Sequence, residues 1–307
     1  MRIIRNIKKA KIKNPVITLG TFDGVHLGHR KILVEAVKYA QRKKLKSVAI
    51  TFDPHPQEVI CPERGLRLLT TLKEREKLIA ETGIDALGII KFNHRLQKLS
   101  YEEFIDKYIV KTFSTKTVFV GYDYAFGRGR EGGAKELRRL GEKYGFKVNI
   151  VKKVKKNHFI VKSQIIRRLI SRGDFNQGIK LLGHSYIVTG RVIKGIGRGR
   201  ILGFPTANLK VAKDKLIPAH GVYIGEIFVE GVNYRCLINI GARPTFPEDG
   251  VAFEVHILNF HKDILGKKVT VHLLKYLRPE LQFSDVEELK KEIKKDIARA
   301  REIRMFT

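Results

Sequence analysis

The sequence has few cysteines and no long apolar run. Its 307 residues include two cysteines, Cys61 and Cys236, which lie far apart and outside any CxxC pair. This excludes a disulfide framework and a cysteine-based zinc site, and it favours a reducing, cytoplasmic environment. No stretch approaches the roughly 20 apolar residues that a membrane span needs. Segment 1–13 is basic but has no apolar run and no small-residue cleavage site, so no secretory signal is predicted.

Acidic residues are scarce relative to basic ones. Lys and Arg number 61 against 31 for Asp and Glu, which gives a formal net charge of +30. Such an excess suits nucleic acid, an anionic membrane or polyanionic small molecules as partners. The basic residues are spread along the chain and form no single tail or arm. A solvated surface is therefore favoured over a nucleic-acid footprint, and its positive field would attract phosphorylated small molecules.

The first half of the chain alternates short apolar runs with amphipathic helical patterns. Predicted strands cover 16–20, 47–52, 86–91, 117–121 and 147–151. Between them a helix is predicted over 31–41, and two more begin at capping boxes that pair Thr71 with Glu74 and Ser100 with Glu103. This alternation predicts a parallel sheet covered by helices, with ligands at the carboxyl ends of its strands.

The pattern changes near Gly183. Predicted strands cover 186–193, 222–229, 234–240, 252–258 and 269–274, and Gly, Pro and Asp/Asn turns separate them. This spacing predicts a small antiparallel barrel. A last helix is predicted to start at a capping box of Ser284 and Glu287, with an apolar face of Val286, Leu289, Ile293, Ile297 and Ala300. The expected fold is an α/β domain over 1–183 followed by a β-barrel domain over 184–307 with a C-terminal helix.

A glycine- and histidine-rich segment, Gly20-Thr-Phe-Asp-Gly-Val-His-Leu-Gly-His29, links a predicted strand to a predicted helix. We call it the histidine turn. Its position suits phosphate, because a helix N-terminus presents free N–H groups and a partial positive charge. Its glycines allow a sharp turn, and His26 and His29 can donate hydrogen bonds to phosphate oxygens. The alternatives are a glycine turn with two surface histidines, or a metal pair that no Cys or carboxylate cluster completes.

The histidine turn resembles the HxGH motif of the nucleotidyltransferase superfamily and, in its full length, that of FAD synthetases. Further motifs of that family follow in order at Thr51-Phe-Asp-Pro-His-Pro56, Gly121-Tyr-Asp-Tyr-Ala-Phe-Gly127, Ser163-Gln-Ile-Ile-Arg167, Gly173-Asp174 and Leu182-Gly-His-Ser-Tyr186. The resemblance implies a Rossmann-like FMN adenylyltransferase domain over 1–183. In this reaction the FMN phosphate attacks the α-phosphate of ATP in line and pyrophosphate leaves.

The same resemblance implies site residues. His26 and His29 would act at the ATP phosphates, and Ser163 and the catalytic Arg167 would clamp the triphosphate. His55 and Asp123 would shape the FMN or phosphate side, and their alternative is a loop histidine and a turn aspartate. The remaining implied substrate-binding residues of this domain are Gly20, Phe22, Asp23 and Gly24.

A second candidate site begins at Gly190. Gly195, Gly197 and Gly199 interleave with basic residues in a flexible segment whose amides are suited to wrapping phosphates. We call 195–203 the glycine loop. It has neither Walker nor Rossmann spacing, and alone it would be interpreted as a basic hairpin. Beyond Pro205, however, Thr206 and Asn208 offer two hard oxygen donors of the kind that Mg²⁺ prefers.

The segment Pro205-Thr-Ala-Asn208 is similar to the PTAN motif of riboflavin kinases. The similarity continues through Gly221-Val-Tyr223, Asn239-Ile-Gly241, Arg243-Pro-Thr245, Glu254-Val-His256, Asn259-Phe260, Gly266, Arg278-Pro-Glu280 and Phe283. It implies that 184–307 is a riboflavin kinase domain, in which Thr206 and Asn208 hold Mg²⁺. The implied substrate-binding residues are Gly195, Gly197, Gly199, Arg200, Gly203 and Pro205, with Arg278 and Phe283 in a flap over the flavin.

Glu254 is the candidate general base of the second site. It shares one face of a predicted strand with His256, whereas Phe253 and Val255 alternate to the other face. By spacing alone an exposed strand carboxylate is the favoured interpretation. The riboflavin kinase resemblance instead implies that Glu254 takes the proton of the riboflavin 5′-hydroxyl, which then attacks the γ-phosphate of MgATP.

Together the resemblances imply a cytoplasmic enzyme with two activities, a monomer or weak homo-oligomer that binds neither nucleic acid nor membrane. Its substrates would be ATP with Mg²⁺, riboflavin and FMN, and its products FMN and FAD. Two alternatives stay open. Gln164 and Lys162 stand where the family usually carries hydroxyl residues. Either the Gln amide or the Lys ammonium replaces one phosphate contact, or the chain is a riboflavin kinase with weak or lost adenylyltransferase activity. The net charge alone favours a basic nucleic-acid-binding protein.

Overall fold

The computed structural model describes residues 1–7, 10, 12–242 and 251–303. The chain forms two compact units, Met1–Ser163 and Gln164–Thr307. In the part of the chain that the structure describes, no helix is long and apolar enough to cross a membrane. The motif Arg243-Pro-Thr245 lies outside the described residues.

A parallel sheet of six strands forms the centre of the first unit. Its strands are β1 (Arg2–Ile4), β2 (Val16–Leu19), β3 (Ser47–Asp53), β4 (Ala86–Lys91), β5 (Thr117–Gly121) and β6 (Lys147–Val151). A short hairpin follows, formed by β7 (Lys155–Lys156) and β8 (Phe159–Ile160). The sheet order is β1-β4-β3-β2-β5-β6, and every neighbouring pair is parallel. The prediction of a parallel sheet is confirmed; β1, with three residues, was not predicted.

Helices connect these strands. They are α1 (Leu27–Arg42), α2 (Pro56–Ile60), α3 (Leu72–Ala80), α4 (His94–Gln97), α5 (Tyr101–Ile105), α6 (Lys111–Phe113) and α7 (Ala134–Tyr144). Thr71 and Ser100 cap α3 and α5 through capping boxes with Glu74 and Glu103, as predicted. The apolar face of α1 is buried. From β2 the chain proceeds to β3 on one side of the sheet, and β5 and β6 lie on the other. The switch point of the topology therefore lies at the carboxyl ends of β2 and β5.

The second unit contains two helices, a closed barrel and a C-terminal helix. The elements are α8 (Ser163–Ser171), α9 (Phe175–Leu182), β9 (Tyr186–Ile193), α10 (Arg198–Ile201), β10 (Ala207–Val211), β11 (Gly221–Val229), β12 (Val232–Ala242), β13 (Val251–Ile257), β14 (Lys268–Arg278) and α11 (Val286–Glu302). The barrel order is β10-β13-β12-β11-β14-β9, and antiparallel pairing of β9 with β10 closes it. The predicted barrel is confirmed, and β10 is a strand that the sequence pattern did not indicate.

Alternation along the strands divides the barrel wall into two faces. Val222, Ile224 and Leu237 pack against Ile297 and Ala300 of α11, so these positions face outward. Two predictions for α11 are wrong. Its N-cap is Asp285, which accepts a hydrogen bond from the backbone N–H of Glu288, rather than Ser284. Val286 at its start is 52% exposed and does not contribute to a buried face.

Candidate active sites

The histidine turn joins β2 to α1, as the sequence predicts. His26 is the N-cap of α1, and the backbone N–H of His29 donates to its Nδ1 at 3.2 Å. The two imidazoles are stacked with ring centroids 3.6 Å apart. His26 is 5% exposed, whereas His29 is half-buried. Phe22 and Val25 have left-handed φ angles of 51° and 40°. Such residues cost about 1–3 kcal/mol each and concentrate at ligand sites, so the turn is held in shape by its surroundings.

The buried carboxylate of Asp23 supports the histidine turn. Its carboxylate is fully buried and accepts hydrogen bonds from the backbone N–H groups of Leu69 and Thr70 and from Thr70 Oγ1, at 2.9–3.0 Å. Thr70 Oγ1 in turn accepts from the N–H of Gly24 at 3.0 Å. Phe22 is also buried. The structure thus places these two predicted substrate-binding residues in the interior, where they support the turn.

A buried arginine, which the sequence analysis did not identify, also supports the histidine turn. Arg75 of α3 is 1% exposed, and its Nη1 donates to the carbonyl oxygen of Thr21 at 2.7 Å and to that of Phe52 at 3.3 Å. Thr51 Oγ1 donates to the same Thr21 carbonyl at 2.9 Å. One cation therefore joins the carboxyl ends of β2 and β3, where the first two motifs begin. A basic residue at helical spacing gives no sequence signal of such burial.

The other predicted residues of the first site have defined partners. His55 is buried as the N-cap of α2, and its Nδ1 accepts from the N–H of Gln57 at 3.2 Å. Asp123 forms an ion pair with Lys162, at 3.2 Å between Oδ2 and Nζ. Ser163 Oγ donates to the carbonyl oxygen of Asp23 at 3.1 Å. Arg167 is half-buried on α8, which belongs to the second unit.

In the second unit, strand register places Glu254 between two asparagines. Glu254 of β13 lies directly opposite Asn208 of β10 and opposite Asn239 of β12. Cross-strand partners project to the same face of a sheet, so one carboxylate and two amides share this patch of the barrel wall. Asn208 is 7% exposed and Glu254 is half-buried. Sequence analysis named Asn239 only as part of a motif and gave it no role; the strand register places it opposite Glu254.

The glycine loop lies directly on the PTAN segment, Pro205–Asn208. A β-carbon on Gly195 would overlap the amide of Asn208, and one on Gly199 would overlap the carbonyl of Phe204 and lie 3.2 Å from Thr206 Oγ1. Only glycine permits this close approach. The glycine loop and the side chains of Thr206 and Asn208 are therefore direct neighbours in the fold.

His256 fixes the PTAN segment to the strand that carries Glu254. The paired part of β10 against β13 begins at Ala207, opposite Val255. Beyond it, the Nδ1–H of His256 donates to the carbonyl oxygen of Pro205 at 2.9 Å, and Phe204 contacts the same ring edge-on. The histidine side chain thus continues a cross-strand connection where proline offers no N–H.

Arg278, predicted to belong to a flap over the flavin, has a defined partner on α11. Its Nε and Nη2 donate to Oδ2 of Asp296 at 2.9 and 2.8 Å, and Asp296 is 1% exposed on α11. Arg278 therefore joins the end of β14 to α11, and the guanidinium is held by a buried carboxylate. Phe283 is half-buried in the segment before α11.

Among the residues with described positions, no group of three or more His, Cys, Asp and Glu side chains is arranged to hold a metal ion. This finding concerns the His26 and His29 pair, for which a metal was one alternative. It does not test hydroxyl and amide donors such as those of Thr206 and Asn208.

Comparisons with known proteins match both units. The family model for FAD synthetase matches residues 8–165, and that for riboflavin kinase matches residues 182–304. The chain is 37% identical over 285 residues to the bifunctional riboflavin kinase/FMN adenylyltransferase of Listeria monocytogenes, over 92% of this chain and 90% of that protein. The Escherichia coli enzyme of the same name is 33% identical over 305 residues, 98% of this chain and 96% of that protein.

A solved structure also matches over nearly the whole length. A crystal structure from Streptococcus pneumoniae, described as a macrolide-efflux protein, has a TM-score of 0.88 and 31% identity and covers 98% of this chain and 99% of that chain. Its description differs from the family models, which both concern flavin nucleotides. Because both models match in order and the relatives match over almost their full length, the chain belongs to the family of bifunctional riboflavin kinase/FMN adenylyltransferases.

Proposed function

We infer that the chain phosphorylates riboflavin to FMN and adenylylates FMN to FAD, using ATP in both steps. The inference rests on the two family models, which match this chain in order. It rests also on a relative that is 37% identical over 92% of this chain. Family membership supports the pair of activities. The roles of individual residues are proposals that rest on the geometry described above.

In the second unit, Glu254 is the proposed general base. Its carboxylate accepts the proton of the riboflavin 5′-hydroxyl, and the oxygen attacks the γ-phosphorus of ATP while the bond to the β-phosphate oxygen breaks and ADP leaves. A positioned base contributes about 10²–10⁴-fold. The facing Asn208 and Asn239 orient the carboxylate and the hydroxyl. The amides of the glycine loop, with Arg200, offset the charge on the transferring phosphoryl group.

Mg²⁺ suits the PTAN segment. The hydroxyl of Thr206 and the amide oxygen of Asn208 are hard donors, and the glycine loop approaches both closely enough to bring phosphates alongside them. When bound with ATP, Mg²⁺ would neutralise phosphate charge. Gly197, Gly203 and Pro205 belong to the same substrate-binding segment. Phe283 and Arg278 are proposed to border the flavin, with Arg278 held by α11 rather than free to move.

In the first unit, the histidine turn is the proposed site of adenylyl transfer. His26 and His29 lie at the start of α1, where backbone N–H groups and the helix dipole favour phosphate. Catalysis here requires positioning and charge stabilisation, since the FMN phosphate oxygen attacks the α-phosphorus directly and pyrophosphate departs. Gly20, Gly24, His55, Asp123, Ser163 and Arg167 complete the proposed substrate contacts.

Several broader features stay predictions. The functional boundary is proposed at 183/184, so that α8 and α9 serve the adenylyltransferase, although the compact units divide at 163/164. A cytoplasmic location, a monomeric or weakly self-associating state, and the absence of nucleic-acid or membrane partners are likewise proposed.

Product analysis tests the function directly. Purified full-length protein with riboflavin, Mg²⁺ and ATP is expected to yield FMN and then FAD, separated by chromatography. Glu254→Gln should lower riboflavin phosphorylation by about 10²–10⁴-fold and leave FMN adenylylation unchanged. His29→Ala should do the reverse. Formation of FMN without FAD by the wild-type protein would favour a kinase that has lost adenylyl transfer, and loss of both activities in either variant would contradict separate sites.

A further inference from the structure

A lysine ammonium spans the crevice at the switch point of the first unit. In open parallel sheets, ligands bind beyond the carboxyl ends of the strands at such a point, which here lies between β2 and β5. Asp123 follows the end of β5 closely, and its Oδ2 lies 3.2 Å from Nζ of Lys162. Lys162 directly precedes Ser163, which contacts the loop that follows β2.

The backbone around Lys162 fixes this position. Ser163 Oγ donates to the carbonyl oxygen of Asp23 at 3.1 Å, and the carbonyl oxygen of Val161 would lie 3.7 Å from a β-carbon on Gly28. The residues on both sides of Lys162 thus contact the histidine turn. Lys162 itself extends to the end of β5, where its Nζ also lies 5.6 Å from the centroid of the Tyr122 ring. One side chain therefore connects the segment beside the histidine turn to the residues that follow β5.

The ion pair of Lys162 and Asp123 contributes little to the stability of the fold. Both side chains are about half exposed, at 45% and 49%, and such pairs contribute about 0–1 kcal/mol. The ammonium has three donors and remains accessible beside its carboxylate partner. The hydrogen bond to Asp123 raises the pKa of Lys162, so the group stays charged at neutral pH.

We propose that Lys162 is a phosphate-binding residue of the adenylyl-transfer site, oriented by Asp123 toward the phosphate oxygens of FMN or ATP. This inference rests on the proposed function of the first unit. It assigns a role to a residue that differs from the family pattern: the cation supplies a phosphate contact where Gln164 replaces a hydroxyl residue. Ser163 would then share the polyphosphate with the ammonium of Lys162.

The test compares three full-length variants in FMN adenylylation with saturating co-substrate. Lys162→Gln should lower kcat/KM by about 10- to 100-fold, the loss expected for a charge-assisted hydrogen bond. Lys162→Arg, which keeps the charge, should retain most of the activity. Lys147→Gln removes one lysine at the amino-terminal end of a strand in the same sheet, where β6 begins. It should leave kcat/KM unchanged. A rise in the KM for FMN would identify its phosphate as the contact, and a rise in the KM for ATP would identify the triphosphate.

Asp123→Asn tests the orienting role. It should lower kcat/KM in the wild-type background and lower it by a clearly smaller factor when combined with Lys162→Gln, because the part of its effect that acts through Lys162 is then already lost. Riboflavin phosphorylation should be equal in all variants, which shows that the chain is folded. Equal adenylylation by Lys162→Gln and Lys147→Gln would overturn the inference while the proposed function stands. Failure of the wild-type protein to form FAD would overturn both.

Discussion

At the scale of single residues, two histidines of the first unit are fixed in one tautomer by helix capping. Nδ1 of His26 accepts from the N–H of His29, and Nδ1 of His55 accepts from the N–H of Gln57. A neutral imidazole whose Nδ1 is an acceptor carries its proton on Nε2. Each ring therefore has a donor on its far side, which is the form that binds phosphate oxygens. Helix capping thus fixes the orientation of both rings within the fold itself.

His256 has the opposite tautomer, because its Nδ1–H donates to the carbonyl oxygen of Pro205. Its proposed role is to position the PTAN segment. We expect His256→Ala to loosen the PTAN segment and raise the Mg²⁺ concentration needed for half-maximal riboflavin phosphorylation by about 10-fold, the effect of losing one hydrogen bond that orients a ligand. Titration of the kinase reaction with Mg²⁺ measures this.

Two comparisons control that experiment. FMN adenylylation should be unchanged, because His256 lies on a strand of the barrel that carries the proposed kinase site. His256→Asn, whose amide is shorter but keeps a donor, should recover part of the Mg²⁺ affinity. If kcat falls in His256→Ala while the Mg²⁺ dependence stays that of the wild-type protein, His256 does not position the metal-binding segment.

Sequence analysis predicted the identity of the candidate site residues better than it predicted their burial and packing partners. The motif positions of His26, Glu254 and Asn208 were predicted by resemblance. The burial of Asp23 and Arg75 was not, because it depends on α3, whose packing against the histidine turn leaves no mark in local spacing.

At the scale of elements, the N-terminus of α3 supports the histidine turn. Thr70 and Leu69 precede the helix and bind the carboxylate of Asp23, and Arg75 in its first turns binds the carbonyl of Thr21. A short helix thereby holds the left-handed backbone of the turn in place. The turn and α3 are therefore expected to lose order together.

Asp23→Ala tests this support. The change leaves the backbone N–H groups of Leu69 and Thr70 without their buried acceptor, at a cost of about 1–3 kcal/mol for each unsatisfied group. We expect a lower melting temperature for the first unit, loss of FMN adenylylation and retained riboflavin phosphorylation. Hydrogen exchange at Leu69 and Thr70 should quicken.

A matched variant sharpens this test. Asp263→Ala removes an exposed carboxylate that accepts one hydrogen bond, from Leu265 N–H in the second unit, and should leave the first unit unchanged. Unaltered exchange at Leu69 and Thr70 in Asp23→Ala would show that the buried carboxylate does not support the turn.

The strands were predicted from sequence more closely than the caps. The strands Ala86–Lys91, Thr117–Gly121 and Lys147–Val151 match the predicted bounds. In the first two, apolar runs mark buried parallel strands. The start of α11 was displaced by one residue, since Ser284 and Asp285 are both suitable caps and each has a glutamate three residues on. The strand Ala207–Val211 was missed because it is short and follows the glycine loop.

At the scale of the whole molecule, the positive charge concerns substrate attraction. A net charge of +30 favours anionic ligands over neutral ones, and salt weakens this effect because the screening length falls from about 30 Å at 0.01 M to about 8 Å at 0.15 M. FMN is anionic and riboflavin is neutral. The two reactions of one protein should therefore respond differently to salt.

We expect that raising KCl from low to physiological concentration, with ATP kept saturating, increases the KM for FMN several-fold, roughly in line with the loss of steering. The KM for riboflavin should change little. Random duplex DNA serves as a control: binding that is weak at physiological salt agrees with an enzyme surface, whereas tight binding with a steep salt slope would favour the nucleic-acid alternative. Equal salt dependence for both flavins would contradict the steering effect.

The division into an α/β part and a barrel part was predictable, because the hydrophobic pattern changes period. The point of division was less so. Sequence analysis assigned motifs in α8 and α9 to the first activity, whereas both helices belong to the second compact unit, where Asn176 of α9 bonds the backbone of Tyr276 in β14. Motif order along a chain reports ancestry and chemistry, whereas compactness depends on contacts that form only in three dimensions.

The closure of the barrel through β9 and β10 also bears on how this protein resists aggregation. Among the strands that the structure describes, all six of the barrel have two neighbours, so this sheet has no edge strand. The sheet of the first unit does end in free margins, at β1 and β6. Lys147 stands exposed on β6, a charge of the kind that discourages strand addition. We therefore expect partly unfolded chains to associate through the edge strands of the N-terminal sheet rather than through the barrel.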